Sequence, residues 1–176
     1  MSRKHFSWLL FVTFLVGAFV LILPEPTGQD EVSESGLLLP GMADQVNELD
    51  WLRLTAAGNQ IIVTLQRKGD LWIAEEASSY RADWETLRKL LSALSQARIV
   101  EAKTANPEYY DRLGVEDVSS ESAAGVLIEF AADTGLPAVV AGNGARGRSG
   151  QYVRLADSAA SALIDIGFEV SLERSA

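Results

Sequence analysis

The chain has 176 residues, of which 15 are basic and 24 acidic, giving a formal net charge of −9. It contains no cysteine, which excludes thiolate metal sites and thiol catalysis. An acidic surface repels phosphate backbones, so nucleic acid is not expected as the main partner. The one histidine, His5, lies near the amino terminus and leaves the rest of the chain without an imidazole for base chemistry.

Residues 6–23 form an uncharged apolar stretch without proline. As a helix it would be about 27 Å long, close to the thickness of a bilayer's hydrocarbon core, about 30 Å. It therefore predicts one transmembrane span. Arg3 and Lys4 precede it, whereas every charge over residues 25–50 is acidic, so the amino terminus is predicted inside and the remainder outside. The predicted anchor residues are Phe6, Trp8, Leu9, Leu10, Phe11, Phe14, Leu15, Phe19, Leu21 and Ile22.

A cleaved secretory signal is the main alternative for this stretch. Such signals have an apolar region of about 7–15 residues followed by a small-residue cleavage site. Here the run is longer, and Leu-Pro-Glu-Pro-Thr-Gly follows it. A buried core helix is disfavoured because the stretch has no polar face. The uncleaved anchor and the cleaved signal both place the domain outside the cytoplasm. We therefore expect a single-pass protein of a bacterial inner membrane with a periplasmic domain.

Three segments follow from this pattern. Residues 1–23 are a cytoplasmic stub and anchor, and residues 24–36 form a flexible acidic tether that is too polar to offset its ordering entropy. Residues 37–176 form an extracytoplasmic domain, long enough for one core or for two subdomains, 37–104 and 105–176.

The folded part is predicted to be α+β, with antiparallel hairpins packed on one main amphipathic helix. Residues 37–49 suggest one or two helical turns, and residues 51–74 a three-stranded meander with a turn at Gly58 and Asn59. A last short apolar run covers residues 162–166. Alternating or apolar runs predict strands at residues 51–55, 60–67, 71–74, 99–104, 125–131, 136–141 and 151–155.

Residues 83–98 carry the clearest helical pattern. Asp83 is a suitable N-cap, and an apolar stripe along the segment is expected to pack on the meander. Further on, Asn106 and Pro107 predict the start of a short helical turn that ends at Gly114. The stripe consists of Trp84, Leu87, Leu90, Leu91 and Leu94.

The segment GNGARGRSG, residues 142–150, resembles two phosphate-binding motifs. Both motifs need the glycine loop to open into a helix, whereas the alternation of residues 151–155 predicts a strand. Arg148 also stands where the second motif requires lysine. We therefore predict a hairpin loop and no bound nucleotide. Arg146 and Arg148 are nevertheless conspicuous in an acidic domain, and they are candidate contacts for an acidic partner.

Carboxylates are abundant, but nothing in the sequence marks a catalytic pair. Glycosidases hold two carboxylates at a defined separation in a cleft. The candidates are more simply solvated surface acids, and we predict neither an enzyme nor a bound metal or cofactor. The candidate carboxylates are Glu75, Glu76, Glu116, Asp117 and Glu129.

Several stretches together resemble the DUF4340 family of uncharacterised domains, which typically have one N-terminal span. They are LLLPGMADQVNEL, LWIAEE, KTANPEYYDRLGVED, GVLIEFA, AVVAGN and QYVRLADS. The resemblance covers about residues 1–170. It implies a partner of an ABC transporter of the gliding-motility auxiliary type, and it assigns no catalytic residues. This chain stops soon after Phe168, where many relatives continue.

The favoured function is therefore that of a non-enzymatic accessory subunit facing the envelope in a membrane complex. A module that binds a cell-wall or surface polymer is the alternative, using the loop of Arg146 and Arg148 or exposed Trp51 and Trp72. A hydrolase that uses paired carboxylates is least favoured.

Overall fold

The computed structural model describes residues 36–75, 80–147 and 149–168, and within them one antiparallel sheet of nine strands dominates. The sheet order is β4-β3-β2-β1-β6-β7-β8-β9-β5. Mostly sheet with few helices, the described chain is in keeping with the predicted α+β class. The strands are β1 Trp51–Ala56, β2 Gln60–Lys68, β3 Leu71–Ala74, β4 Tyr80–Arg81, β5 Ile99–Ala102, β6 Val126–Phe130, β7 Val139–Gly144, β8 Gln151–Leu155 and β9 Ser161–Ile164.

In this described part of the chain, three α-helices accompany the sheet: α1 Met42–Gln45, α2 Trp84–Gln96 and α3 Tyr110–Leu113. Short 3₁₀ turns cover Ala57–Asn59, Pro107–Tyr109 and Ala132–Thr134. None of the helices in the described ranges combines the length and the apolar character that a membrane crossing requires. The predicted span at residues 6–23, and all of the predicted tether except Gly36, lie outside the described residues.

The predicted meander is confirmed. β1 pairs antiparallel with β2, and β2 with β3. Gly58 and Asn59 adopt left-handed φ values of 65° and 57° at the first turn, which glycine and asparagine tolerate better than other residues. Leu52 lies opposite Leu65, which puts the two leucines on the same face of the sheet.

Strands from both halves of the chain share the sheet. β1 pairs with β6, and β9 pairs with the edge strand β5. Ahead of α1, the chain runs beside that same edge of the sheet. The N–H of Ile99 donates to the carbonyl oxygen of Gly36 at 2.9 Å, and the N–H of Leu38 donates to Ala97 at 2.8 Å. A predicted tether that ends at Gly36 would therefore join the domain beside β5.

Helix α2 begins where predicted, because the Asp83 carboxylate accepts the backbone N–H groups of Glu85 and Thr86 at 3.0 and 3.4 Å. The four leucines of the predicted stripe are buried against the sheet. Trp84 was predicted to belong to the stripe, and this was wrong, since its side chain is 56% exposed. At about 100° of rotation per residue, position 84 lies about 70° around the helix from the centre of the leucine stripe. It is also the first residue of the helix, at the end of the stripe. The buried members are Leu87, Leu90, Leu91 and Leu94.

The core lies between α2 and one face of the sheet, and it includes side chains from β1, β2, β3 and β5–β9. On the opposite face a smaller cluster forms around Tyr110, Val115 and Val140, with Leu127 and Tyr152 at its margin. This second layer covers β6, β7 and β8 and includes no residue of β1–β4. The two halves of the sheet are therefore covered differently.

Candidate functional site

The side chains of β1–β4 that point away from α2 form a continuous surface, which we call the basic face. Alternation along the strands directs Leu52, Leu54 and Leu65 into the core, so their neighbours in each strand lie on the opposite side. Cross-strand pairing aligns Trp51, Gln66, Ile73 and Arg81 in one row across the four strands. The basic face consists of Trp51, Arg53, Thr55, Ile61, Thr64, Gln66, Lys68, Leu71, Ile73 and Arg81.

The charged residues within strands β1–β4 are all basic. β1–β4 contain Arg53, Arg67, Lys68 and Arg81 and no Asp or Glu residue, although the chain carries a net charge of −9. The nearest carboxylate in the adjacent strand β6 is Glu129, opposite Arg53 in the register. The Thr55 hydroxyl donates to this carboxylate at 3.4 Å. Two further carboxylates flank these cations, because Asp70 lies in the turn between Lys68 and Leu71, and Glu75 directly follows β3, where its N–H donates to the carbonyl oxygen of Thr64 at 3.0 Å.

Arg53 is held in a fixed position on the basic face. Its guanidinium lies 4.8 Å from the centroid of the Trp51 ring, which is a cation–π contact, and its Nε lies 3.5 Å from Oγ1 of Thr64. Within the described ranges the ion pairs are Lys89–Glu85 and Lys103–Glu101, so Arg53 forms none there. Its two terminal guanidinium nitrogens donate no hydrogen bond to a residue within the described ranges. They remain able to bind an anionic group.

Apolar side chains accompany these cations. Ile61 and Leu71 are 49% and 45% exposed, whereas Thr64 and Ile73 are buried. Protein interfaces are enriched in aromatic residues and arginine and depleted of Asp and Glu. The face thus combines exposed apolar side chains with one tryptophan, two arginines and an exposed lysine.

Trp72 was predicted to be exposed and to serve polymer binding, and the structure contradicts this. Its side chain is only 7% exposed and packs in the core beneath α2. The cause is register, because Trp72 lies opposite Arg67 on the core side of β3, while its neighbours Leu71 and Ile73 point to the basic face. Trp51 does lie on that outer side, half-buried beneath Arg53.

The glycine-rich segment is the tip of the β7–β8 hairpin. β7 continues to Gly144, three residues beyond its predicted end at residue 141, and the N–H of Ala145 donates to Gly150 at 2.9 Å. A strand, β8, follows the glycines, as predicted. Arg146 is exposed at this tip, far along the sheet from the basic face, and Arg148 lies outside the described residues.

Two glycines of this segment are required by packing. A Cβ atom at Gly142 would overlap the carbonyl oxygen of Leu113, and one at Gly150 would overlap that of Ile164. A Cβ at Gly144 or Gly147 would meet nothing within 4 Å. The glycines that resembled a phosphate-binding motif were Gly142, Gly144 and Gly147, and packing explains Gly142 alone, while Gly147 adopts a left-handed φ of 75°.

Arg154 is a buried cation that the sequence did not reveal. Only 7% of it is exposed, its Nε donates to the carbonyl oxygen of Val115 at 2.9 Å, and one terminal nitrogen donates to that of Ser158 at 3.1 Å. Its guanidinium also lies 5.0 Å from the centroid of the Tyr110 ring. These contacts join the second layer to the sheet, so we assign Arg154 a structural role.

The candidate carboxylates are dispersed. Asp117 is exposed, and hydrogen bonds from the backbone N–H and hydroxyl of Ser119 lower its pKa. Glu75 is exposed, Glu116 and Glu129 are half-buried, and Glu76 lies outside the described residues. No group of three or more His, Asp or Glu side chains in the described ranges is placed to hold a metal ion.

No family model, curated protein or solved structure matches this chain. The resemblance to the DUF4340 family therefore stays a prediction. Among the residues predicted to contact a partner, Arg146 is exposed as expected, but the structure gathers more cations on the basic face than at that loop.

Proposed function

We propose that this chain is a membrane-anchored, extracytoplasmic and non-enzymatic accessory protein of an ABC-transporter-type envelope complex. The observation that carries the proposal is the unequal covering of the sheet. The core under α2 supports all of β1–β3 and β5–β9, but the second layer covers only β6, β7 and β8. Within the described ranges the second layer includes no residue on the outer side of β1–β3, and this is the side on which we propose that a partner binds.

The predicted anchor supports the same function. A span at residues 6–23 would keep the domain and its partner at one membrane surface, which raises their effective concentration. A modest interface is then sufficient for stable association. The resemblance to the DUF4340 family supports an ABC transporter as the complex.

Native electrophoresis of gently solubilised membranes tests this proposal. The full-length protein should migrate in a species much larger than its own monomer, and denaturation should release it. A fusion of residues 1–36 to an unrelated monomeric domain is the matched control, and it should migrate alone. Migration of the full-length protein as a lone monomer would contradict the proposal.

The hairpin tip favours a second candidate, a module that binds an anionic surface polymer. Arg146 is exposed there, and the neighbouring glycines Gly144 and Gly147 leave space around the loop. If this is correct, Arg146→Ala together with Arg148→Ala should abolish co-sedimentation with purified cell wall. Arg112→Ala, which removes an exposed arginine of α3, is the control. Unchanged retention of the double variant would remove the tip from consideration.

A further inference from the structure

We infer that Asn143 is a site of spontaneous covalent modification, at which the side-chain amide is lost and an aspartate or isoaspartate residue forms. The reaction requires an accessible asparagine, a small residue after it, and a following backbone nitrogen that is free to react. Asn143 is exposed and precedes Gly144 at the end of β7, close to the hairpin tip that carries Arg146. Asparagine is among the labile residues of proteins. The inference does not depend on the proposed function.

The modification proceeds through a cyclic imide. The backbone nitrogen of Gly144 attacks Cγ of Asn143, a carbon–nitrogen bond forms, and the side-chain nitrogen leaves as ammonia with the proton that the attacking nitrogen loses. Water then opens the ring. Cleavage of the bond to Cγ restores the normal peptide and leaves aspartate, whereas cleavage of the bond to the backbone carbonyl carbon leaves isoaspartate. Water is the only co-reactant.

The nitrogen of Gly144 is free because of a bulge in β7. The pairing with β8 is irregular between Ala141 and Gly144, and Gly144 lies opposite Gln151. The N–H of Ala145 donates to Gly150 at 2.9 Å, so alternation turns the N–H of Gly144 away from β8. On the other side, β6 pairs with β7 only as far as Ala141. Within the described ranges, the Gly144 nitrogen therefore has no backbone acceptor.

The other asparagines of the sequence lack such a nitrogen. In two cases the following N–H is engaged, because those of Glu48 and Gln60 donate to nearby backbone carbonyl oxygens. In the third case the following residue is Pro107, which has no N–H. Glycine at position 144 also leaves the attacking nitrogen uncrowded by a side chain. The three other pairs are Asn47 with Glu48, Asn59 with Gln60, and Asn106 with Pro107.

Modification would change the hairpin tip in both charge and shape. Either product adds a carboxylate near Arg146, which would repel an anion held there. Isoaspartate also lengthens the backbone of β7. The Asn143 side chain lies against the residue that ends α3, since a Cβ atom at Gly114 would be 2.9 Å from Cγ of Asn143. The contact between β7 and α3 would therefore change as well.

Peptide mapping by mass spectrometry tests the inference in the full-length protein in detergent. The protein is incubated in mildly alkaline buffer made with heavy-oxygen water, and samples are taken while circular dichroism shows the native spectrum. We expect isoaspartate and aspartate at position 143, each carrying heavy oxygen from the solvent. The same digest should contain unmodified asparagine at positions 47, 59 and 106.

Two variants test the roles of the reacting groups. Gly144→Ala adds a methyl group that meets nothing within 4 Å, so the fold should be kept, while crowding of the nitrogen should slow conversion severalfold. Asn143→Gln, whose longer side chain disfavours the imide ring, should give no product. An intact Asn143 in the folded protein, aspartate without isoaspartate, equal conversion at Asn59, or an unchanged rate in Gly144→Ala would each overturn the inference.

Discussion

The guanidinium of Arg154 lies 5.0 Å from the centroid of the Tyr110 ring, and together the two side chains fasten the second layer to the sheet. Arg154 binds the carbonyl oxygens of Val115 and Ser158, while the Tyr110 hydroxyl donates to the carbonyl oxygen of Ala159. These contacts hold the segment that contains Tyr110 and Val115 against β8 and the turn after it, and the carbonyl dipoles stabilise the buried guanidinium charge.

Replacing Arg154 with methionine should therefore destabilise the domain. Methionine keeps much of the volume but leaves the oxygens of Val115 and Ser158 without their donor, at a cost of about 1–3 kcal/mol for each buried acceptor. Thermal unfolding of the full-length protein in detergent would measure the loss. Tyr110→Phe, which removes only the hydroxyl, should cost about 1 kcal/mol. An Arg154→Met variant as stable as the parent would contradict this role.

Gly125 and Gly142 should not tolerate a side chain. A methyl group at Gly125 would overlap the carbonyl oxygen of Gly114, and one at Gly142 would overlap that of Leu113. Because the obstacles are backbone atoms, each alanine variant should lose about 1–3 kcal/mol of unfolding free energy. Denaturant titration provides the measurement. Gly144→Ala, where a Cβ meets nothing within 4 Å, is the control and should be nearly neutral.

Asp83 should make the stability of α2 depend on pH. The Thr86 hydroxyl donates to its carboxylate at 2.7 Å, and this bond, with the N–H groups of Thr86 and Glu85, lowers its pKa. A lowered folded-state pKa stabilises the domain above the unfolded pKa, about 3.9. That contribution is lost as the pH falls through the lower folded value.

The wild-type protein should therefore be more stable than the Asp83→Asn variant at pH 7, and this difference in stability should shrink below about pH 4. Melting temperatures at both pH values would measure it. Asp157→Asn removes the same charge from an exposed turn and should lower the melting temperature less at pH 7. A difference between wild type and Asp83→Asn that stays constant with pH would count against the capping role.

The cysteine-free sequence allows the predicted topology to be mapped directly. Ser122→Cys, exposed in the loop before β6, should react with a membrane-impermeant maleimide added to spheroplasts. Ser2→Cys, before the predicted span, should react only after the membrane is permeabilised, because Arg3 and Lys4 keep that end inside. Equal protection of both cysteines in spheroplasts would place the domain in the cytoplasm and contradict the predicted orientation.

Local features of the fold were readable from the sequence because their causes are local. Alternation located the meander, Asp83 marked the start of α2, and Asn106 with Pro107 marked the turn before α3. Gly114 ends α3 with a φ of 69°, as a left-handed C-terminal glycine does.

Long-range features were not readable in the same way. Nothing near β1 in the sequence shows that it pairs with β6, nor that Arg154 is covered by the segment around Val115. The basic face was missed because its cations are separated along the chain and only the sheet register brings them together. The one available signal was that the predicted strands 51–55, 60–67 and 71–74 contain basic residues and no acidic ones.

Affinity purification of the full-length protein from gently solubilised native membranes, with companions identified by mass spectrometry, tests the central claim most directly. The proposed accessory function predicts recovery of ABC-type permease and ATPase subunits in stoichiometric amounts. A fusion of residues 1–36 to an unrelated domain should recover neither. Recovery of the protein alone, from membranes in which it is abundant, would contradict the claim and direct attention to polymers at the Arg146 hairpin tip.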